Sequence, residues 1–393
     1  MKKVMVVAGG KWQVPLIKYI KSRGHYVVNT NLYENSPGFV HADEHYVVDV
    51  LDKERNLEIA EQCNIDAITS DQSDIAIFTV AYIAEMLGLS GIGTKSANLF
   101  TNKYEMRLRG KELGLPTPKF ELCHTLQDAE LFLRHHKKVV IKPPDGQGSR
   151  CVFIVSNDDF TKNLFEIALS ESKCDAVLLE EYIEGYELTV EGYKTTDKHV
   201  TLAISEKSRI PNHPQVASNL WYSVAAFKKH KMLIKEHNAL IENFTLPFGL
   251  THSEYIYNDG TYTLVETAAR GGGTNISSHI VPCISGVNVY EELCRNVLGQ
   301  KSQEICELEP NCSIVLDFFQ LAPGRVKSIK GMETLLCHPS VLDAALNFQA
   351  GDFIPTLSDD TSRAGYIIAR AKDDEELRKL LPTLKNELQV LYE

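Results

Sequence analysis

Two acidic residues in facing positions of a β-hairpin carry the most chemistry in this sequence. Leu250-Thr251-His252-Ser253-Glu254 leads through Asn258-Asp259-Gly260 into Val265-Glu266-Thr267-Ala268-Ala269-Arg270-Gly271-Gly272-Gly273. If the hairpin closes with a three-residue loop, Asp259-Gly260-Thr261, then Glu254 lies opposite Glu266, Ile256 opposite Leu264 and His252 opposite Ala268. Directly facing carboxylates destabilise a bare sheet, and a divalent cation between them removes the conflict. Oxygen ligands point to Mg²⁺ or Mn²⁺. A two-residue loop would shift the register by one and send the acids to opposite faces. Arg270 offers a planar cation beside open backbone N–H groups, suited to a substrate carboxylate or a developing phosphoryl anion. The competing reading is a plain Gly-rich turn.

Two further stretches point to phosphate and nucleoside chemistry. In Val139-Val140-Ile141-Lys142-Pro143-Pro144-Asp145-Gly146-Gln147-Gly148-Ser149-Arg150, a lysine ends a strand and a glycine-bearing loop follows. Glycines let backbone N–H groups wrap phosphate oxygens while Lys142 adds a point charge. The alternative is a flexible hairpin with an exposed lysine. In Leu178-Leu179-Glu180-Glu181-Tyr182-Ile183-Glu184-Gly185-Tyr186-Glu187, an apolar strand enters an acidic connector. Its backbone could meet an adenine edge and a carboxylate could accept ribose hydroxyls, against a reading as solvated loop acids.

The elements that must position these residues fall into two textures. Over the first hundred residues strand and helix alternate: strands at 4–7, 26–29, 46–50 and 67–70, helices at 14–23, 57–62 and 75–87. That pattern predicts a parallel sheet with helices on both faces. Gly9-Gly10 closes the first turn without a full G-x-G-x-x-G, so a close-packed turn competes with a dinucleotide site. Asp74 stands where a helix N-cap belongs. The second texture has strands at 139–142, 151–155, 177–181, 188–192 and 200–205, helices at 158–170 and 228–244, and then the acidic hairpin. This predicts an α+β unit. Strands at 313–320 and 365–369 and a helix from Asp373 form a smaller closing region.

Composition bounds the function. The 393 residues are 44% hydrophobic and 24% charged, as in an ordinary globular chain of two or three domains. No apolar run approaches bilayer length, so no membrane role is expected. The start, residues 1–10, reads as a buried strand rather than a signal peptide. A net charge of −11 without a basic tract argues against nucleic-acid binding. The nine cysteines include no Cys-x-x-Cys pair, which fits reduced thiols in a cytoplasm better than a disulfide framework or a zinc site.

Taken together the segments resemble the ATP-grasp superfamily, over nearly the whole chain. The nearest branch comprises L-amino-acid ligases, with the carbamoyl phosphate synthase large subunit and biotin carboxylase as further relatives. The resemblance implies a Rossmann-like domain over 1–100, an ATP-grasp domain over 101–305 with its lid at about 119–190, and a C-terminal subdomain over 306–393 that completes the core. The fold class is thus α/β together with α+β. By the same resemblance Lys103 and Lys142 are ATP lysines, and Gly146, Gly148 and Ser149 belong to a mobile loop over the phosphates. Glu180, Glu181 and Ile183 match the adenine connector and Glu187 the ribose acid. Glu254 and Glu266 match the metal-binding acids, and Arg270 the arginine that follows. His252 shares the acids' face, where it either touches substrate or is a satisfied strand histidine. Lys207 reaches the phosphates or stays at the surface. One departure stands out: many members carry Glu-x-Asn, and here the Asn position is Ala268.

The activity implied is ATP-dependent ligation of a small carboxylate to an amine through an acyl phosphate, with ATP and Mg²⁺ (or Mn²⁺) and release of ADP and phosphate. Alternatives are a purine-pathway ligase resembling phosphoribosylglycinamide synthetase, a bicarbonate-using carboxylase, and an inactive nucleotide-binding sensor. Specificity is expected from loops at 9–13, 70–74, 209–221 and 271–279. Family members are often dimers, so a homodimer is an expectation of the resemblance; no apolar stripe marks an interface.

Overall fold

A computed structural model describes residues 1–393 except 157, 212, 307 and 308 and the side chains of 214 and 215. Strands β1 (Lys3–Val7), β2 (Tyr26–Asn31), β3 (Glu44–Val47) and β4 (Ala67–Thr69) form a parallel sheet in the order β3-β2-β1-β4. Val4 and Val6 enter one apolar cluster with Leu16, Ile17 and Ile20, whereas Met5 and Val7 enter another with Ile59 and Ile83. Both faces of β1 are therefore covered, which is why its sequence is a continuous apolar run rather than an alternating one. The strand expected at 46–50 begins earlier, because Glu44 is the residue that pairs with Val28.

A second, antiparallel sheet comprises β5 (Phe120–Cys123), β6 (Lys138–Lys142), β7 (Phe153–Ser156) and β8 (Val177–Glu181), in the order β5-β8-β6-β7. Helices Leu126–Arg134 and Lys162–Ser170 cover one face, where Cys123, Leu133, Val139, Ile141, Phe165 and Leu179 form a core. The first helix starts at a capping box between Thr125 and Asp128. Side chains of alternate parity, Val140, Lys142, Ile154 and Glu180, face the opposite way into a cleft.

The floor of that cleft is the largest sheet. Strands β9 (Tyr186–Lys194), β10 (His199–Ile210), β11 (His213–Tyr222), β12 (Gly249–Asn258), β13 (Thr261–Ala268) and β14 (Ser313–Phe318) are followed by β15 (Gly324–Lys330), β16 (Val341–Leu346), β17 (Phe353–Ile354), β18 (Gly365–Ala371) and β19 (Gln389–Tyr392). Eight of these order as β13-β12-β9-β10-β11-β14-β18-β16, and β17-β15-β19 make a small separate sheet. The C-terminal strands β14, β16 and β18 thus extend the same sheet that carries the acidic hairpin. Residues 209–221, expected to be a specificity loop, are instead mostly strand. β11 pairs with both β10 and β14, and Val216, Ala217, Leu220 and Tyr222 are buried. Position 212 of that stretch lies outside the described residues. No helix of the described residues is long and apolar enough to cross a membrane.

Candidate active site

A cleft of about 680 Å³ lies between the second sheet and the large one. Its walls bring together Lys103, Lys142, Gly146, Gly148, Ser149, Glu180, Glu181, Ile183, His252, Glu254, Glu266 and Arg270. These residues come from segments far apart in the chain.

The acidic pair is reached by a different route from the one expected. Asn258 pairs with Thr261 around a two-residue turn, Asp259-Gly260, in which both residues have positive φ (44° and 86°). This is the favoured short hairpin geometry for such residues. Uninterrupted, that register would set Glu254 against Val265. The pairing shifts between Glu254 and Tyr255, leaving Val265 as the extra residue on β13, and Glu254 then faces Glu266. His252 faces Ala268 as expected, whereas Ile256 faces Thr263 and not Leu264. The turn and the bulge each displace the register by one residue, and the two displacements cancel.

Lysines hold the acids. Lys103 Nζ lies 2.8 Å from Glu266 Oε2 and donates to the Gly146 carbonyl, also at 2.8 Å. It begins the helix Lys103–Glu112, whose Asn102 cap accepts from the Tyr104 and Glu105 N–H groups. Lys207 on β10 bridges Glu254, at 2.9 Å, and Glu187. Burial alone would raise the Glu254 carboxyl, but Lys207 and His252 hold it well below the usual carboxylate range. Burial opposes charge on Lys103 too, yet Glu266, Asp74 and Glu254 push its pKa up.

Under the second sheet lies a buried ion cluster. Glu180 accepts from Arg107 Nε and Lys142 Nζ, each at 2.7 Å, and all three side chains are nearly inaccessible. Burial would raise Glu180, but the two cations hold it down at about 2. Burial lowers the Lys142 pKa, and Glu180 only partly offsets this. Arg107 Nη2 also donates to the carbonyl of the bulged Val265, at 2.5 Å. One arginine therefore joins strand β8 to the bulge that aligns the acids. Its Nη1 is buried with no partner among the described residues.

Above the acids, the loop after Lys142 curls through left-handed backbone at Gly148 (φ 62°), Ser149 (φ 58°) and Cys151 (φ 53°). Glycine adopts this conformation freely; the other two do so at a cost of roughly 1–2 kcal/mol each. Glu187 departs from the expectation of a free ribose acceptor. It is 2% exposed and is not part of the cleft wall; its two oxygens are taken by Lys207 and Arg209, which do line the cleft. Pairing across β9 and β10 sets Glu187 opposite Lys207 and accounts for this.

His252 and Arg270 are each fixed by an acid that the sequence did not single out for that purpose. His252 Nδ1 lies 2.8 Å from Glu191 on β9, and Nε2 lies 3.8 Å from Glu254. Burial would lower the imidazole pKa, but Glu191 and Glu254 raise it to about 9, so the ring is a cation at neutral pH. Arg270 donates from Nε and Nη2 to both oxygens of Asp74, at 2.9 and 2.7 Å. Asp74 is thus not an N-cap: Ser73 holds that position and Asp74 is the first residue of the helix Asp74–Met86. Nearby, fully buried Asp71 accepts from the Gly271 N–H (2.9 Å), Ser277 (2.6 Å) and Tyr290 (2.7 Å). Burial raises its pKa despite these donors.

The residues present fit a nucleotide with a divalent cation. Glu254 and Glu266 offer oxygens from adjacent strands, and Lys103, Lys142 and Arg270 line the same cleft. No group of three or more His, Cys, Asp or Glu suited to a metal occurs among the described residues. Coordination would therefore be completed by phosphate oxygens and water, the usual habit of Mg²⁺.

Comparison with known proteins agrees with this geometry. Residues 100–274 match the ATP-grasp domain family and residues 317–393 match the L-amino acid ligase C-terminal domain 2 family. The formate-dependent phosphoribosylglycinamide formyltransferase of Corynebacterium glutamicum strain R is 25% identical over 205 residues, half of this chain and 49% of that protein. The chain therefore spans about half the length of such relatives. The crystal structure of L-amino acid ligase from Bacillus licheniformis superimposes with a TM-score of 0.85 at 22% identity, over 100% of this chain and 99% of that one. That of phosphoribosylglycinamide synthetase from Anaerococcus prevotii gives 0.79 at 17%, over 100% of both chains. With the cleft, the paired acids and these two family matches in agreement, the chain carries an ATP-grasp domain over residues 100–274 and a C-terminal domain of the L-amino acid ligase type over residues 317–393.

Proposed function

We propose that the protein is an ATP-dependent ligase that joins a small carboxylate to an amine. The supporting observation is one cleft in which paired carboxylates, two lysines and an arginine converge beneath a glycine-bearing loop. In this reading Lys103, Lys142 and the backbone of 146–149 hold the phosphates, and the connector at Glu181 and Ile183 holds the adenine. Glu254 and Glu266 would hold Mg²⁺, which when bound supplies neutralisation of phosphate charge. Arg270, with cationic His252 behind the acids, stabilises negative charge as the γ-phosphoryl group passes to the substrate carboxylate. The amine then displaces phosphate from the acyl phosphate, giving an amide, ADP and phosphate. No protein nucleophile is required; the cleft orients the reactants and excludes water.

A second reading keeps the chemistry and changes the acceptor. Relatives that match in sequence include phosphoribosylglycinamide enzymes, which favours a purine-type substrate, whereas the C-terminal family match favours amino acids. Screening amino acids, sugar acids and phosphoribosylamines for substrate-stimulated ADP release, with mass spectrometry of the product, separates them. Stimulation by a carboxylate and amine pair with formation of an amide supports ligation. Lack of stimulation by any of them would leave a nucleotide sensor as the better account.

A further inference from the structure

Outside the cleft, three segments meet at a pair of thiols. Cys283 lies in the short helix Val281–Ser285, Cys312 directly precedes β14, and Arg370 lies on β18. Arg370 Nη1 is 3.6 Å from Cys283 Sγ, and Cys312 Sγ is 3.9 Å from the Cys283 carbonyl oxygen. Strand pairing of Ile314 with Arg370 sets the backbone of Arg370 beside the segment that carries Cys312. Both residues sit at the margin of the main apolar cluster and are half-buried. Cys63, Cys123 and Cys294 are buried by contrast.

We propose that Cys283 and Cys312 are a redox-active thiol pair that closes to a disulfide when a hydroperoxide oxidises it. The Cys283 sulfur attacks the peroxide, the O–O bond breaks, and an alcohol or water leaves with formation of a sulfenic acid. The Cys312 sulfur then attacks that sulfur, the S–O bond breaks and water leaves. Two thiols lose two electrons in total and the hydroperoxide gains them. The charged and titratable groups facing Cys283 are the Cys312 thiol and the Arg370 guanidinium. The neighbouring Cys312 thiol lowers the Cys283 pKa to about 6, with burial opposing and Arg370 adding to the shift. The Cys283 thiol and burial raise Cys312. Such a pair has one sulfur ready to attack and one held back to resolve. The disulfide would tie the segment continuing from the Arg270 loop to β14, whose Leu316 and Phe318 form part of the cleft wall.

The test uses the full chain and needs no substrate. Limiting iodoacetamide at pH 7, read by peptide mass spectrometry, should label Cys283 about tenfold faster than exposed Cys174, Cys306 and Cys337. Arg370→Gln should slow that labelling severalfold and move its pH midpoint upward. Hydrogen peroxide should give a Cys283–Cys312 cross-linked peptide, and Cys312→Ser should leave a sulfenic acid at 283 that dimedone traps. Labelling of Cys283 no faster than the exposed thiols, or peroxide treatment that leaves both thiols free, would overturn the proposal.

Discussion

Asp74 and Arg270 are 196 residues apart in sequence and joined by two parallel hydrogen bonds, 2.9 and 2.7 Å long. The helix that begins at Asp74, which itself lines the cleft, thereby sets the plane of the guanidinium. Burial would raise the Asp74 carboxyl, but Arg270, Lys103 and His252 lower it, so it stays an anion. A planar cation gripped on one side offers its remaining N–H groups in a fixed direction. Asp74→Ala should lower turnover about 100-fold by loosening that direction, with ADP affinity nearly unchanged. Steady-state kinetics beside an ADP titration check this. An equal loss in ADP affinity would point to a general structural role.

Arg107 links strand β8 to the hairpin bulge through Glu180 and Val265. Removing it leaves Glu180 with one cation fewer and the Val265 carbonyl without its donor. Arg107→Ala should cost about 3–5 kcal/mol of unfolding free energy, measured by urea denaturation, and Arg107→Lys should recover only part because lysine lacks the fork.

A pH dependence of stability follows from His199 on β10. Its Nδ1 lies 2.7 Å from Asn238 and its Nε2 2.8 Å from Thr251, and burial, against the Asn238 hydrogen bond, lowers its pKa to about 4. The folded value is below the unfolded one of about 6.5, so the contribution is full above pH 6.5 and is lost as pH falls towards 4. His199→Gln should flatten the dependence of the urea midpoint on pH across that window. A slope equal to the parent's would contradict the assignment.

Much of the parallel sheet and the location of the cleft could be read from the sequence, because strand runs, glycine turns and the two facing acids are local signals. The facing of Glu254 and Glu266 came out as expected although the loop did not. A two-residue turn with positive φ at Asp259 and Gly260 is energetically favoured, and the bulge at Val265 restores the register. Nothing in a periodic pattern marks such a bulge; it is fixed by Arg107 from another segment. The same limit hid Glu191, Asp71 and the cations around Glu187, since buried charge pairs join residues with no fixed sequence separation. β11 carries no clear strand signal in the sequence, because polar residues interrupt it and consecutive residues such as Val216 and Ala217 are both buried. Asp74 lies at a helix start, where capping is the local explanation, and its partner Arg270 is too distant in sequence to leave a local signal.

Lys103 stands between the glycine loop and the acid on β13, touching Gly146 and Glu266 together. Lys103→Met should therefore weaken ADP binding and make the loop more accessible. Faster limited proteolysis at 145–151 in the variant, with saturating ADP no longer protecting it, is the expected result.

The most direct measurement is Mn²⁺ binding in the presence of ADP, followed by electron paramagnetic resonance, for the parent, Glu254→Gln and Glu266→Gln. Paired carboxylates as the metal site predict that each variant loses at least about tenfold in Mn²⁺ affinity while its melting temperature stays near the parent's. Mn²⁺ affinity undiminished in both folded variants would contradict that site, and with it the ligase reading.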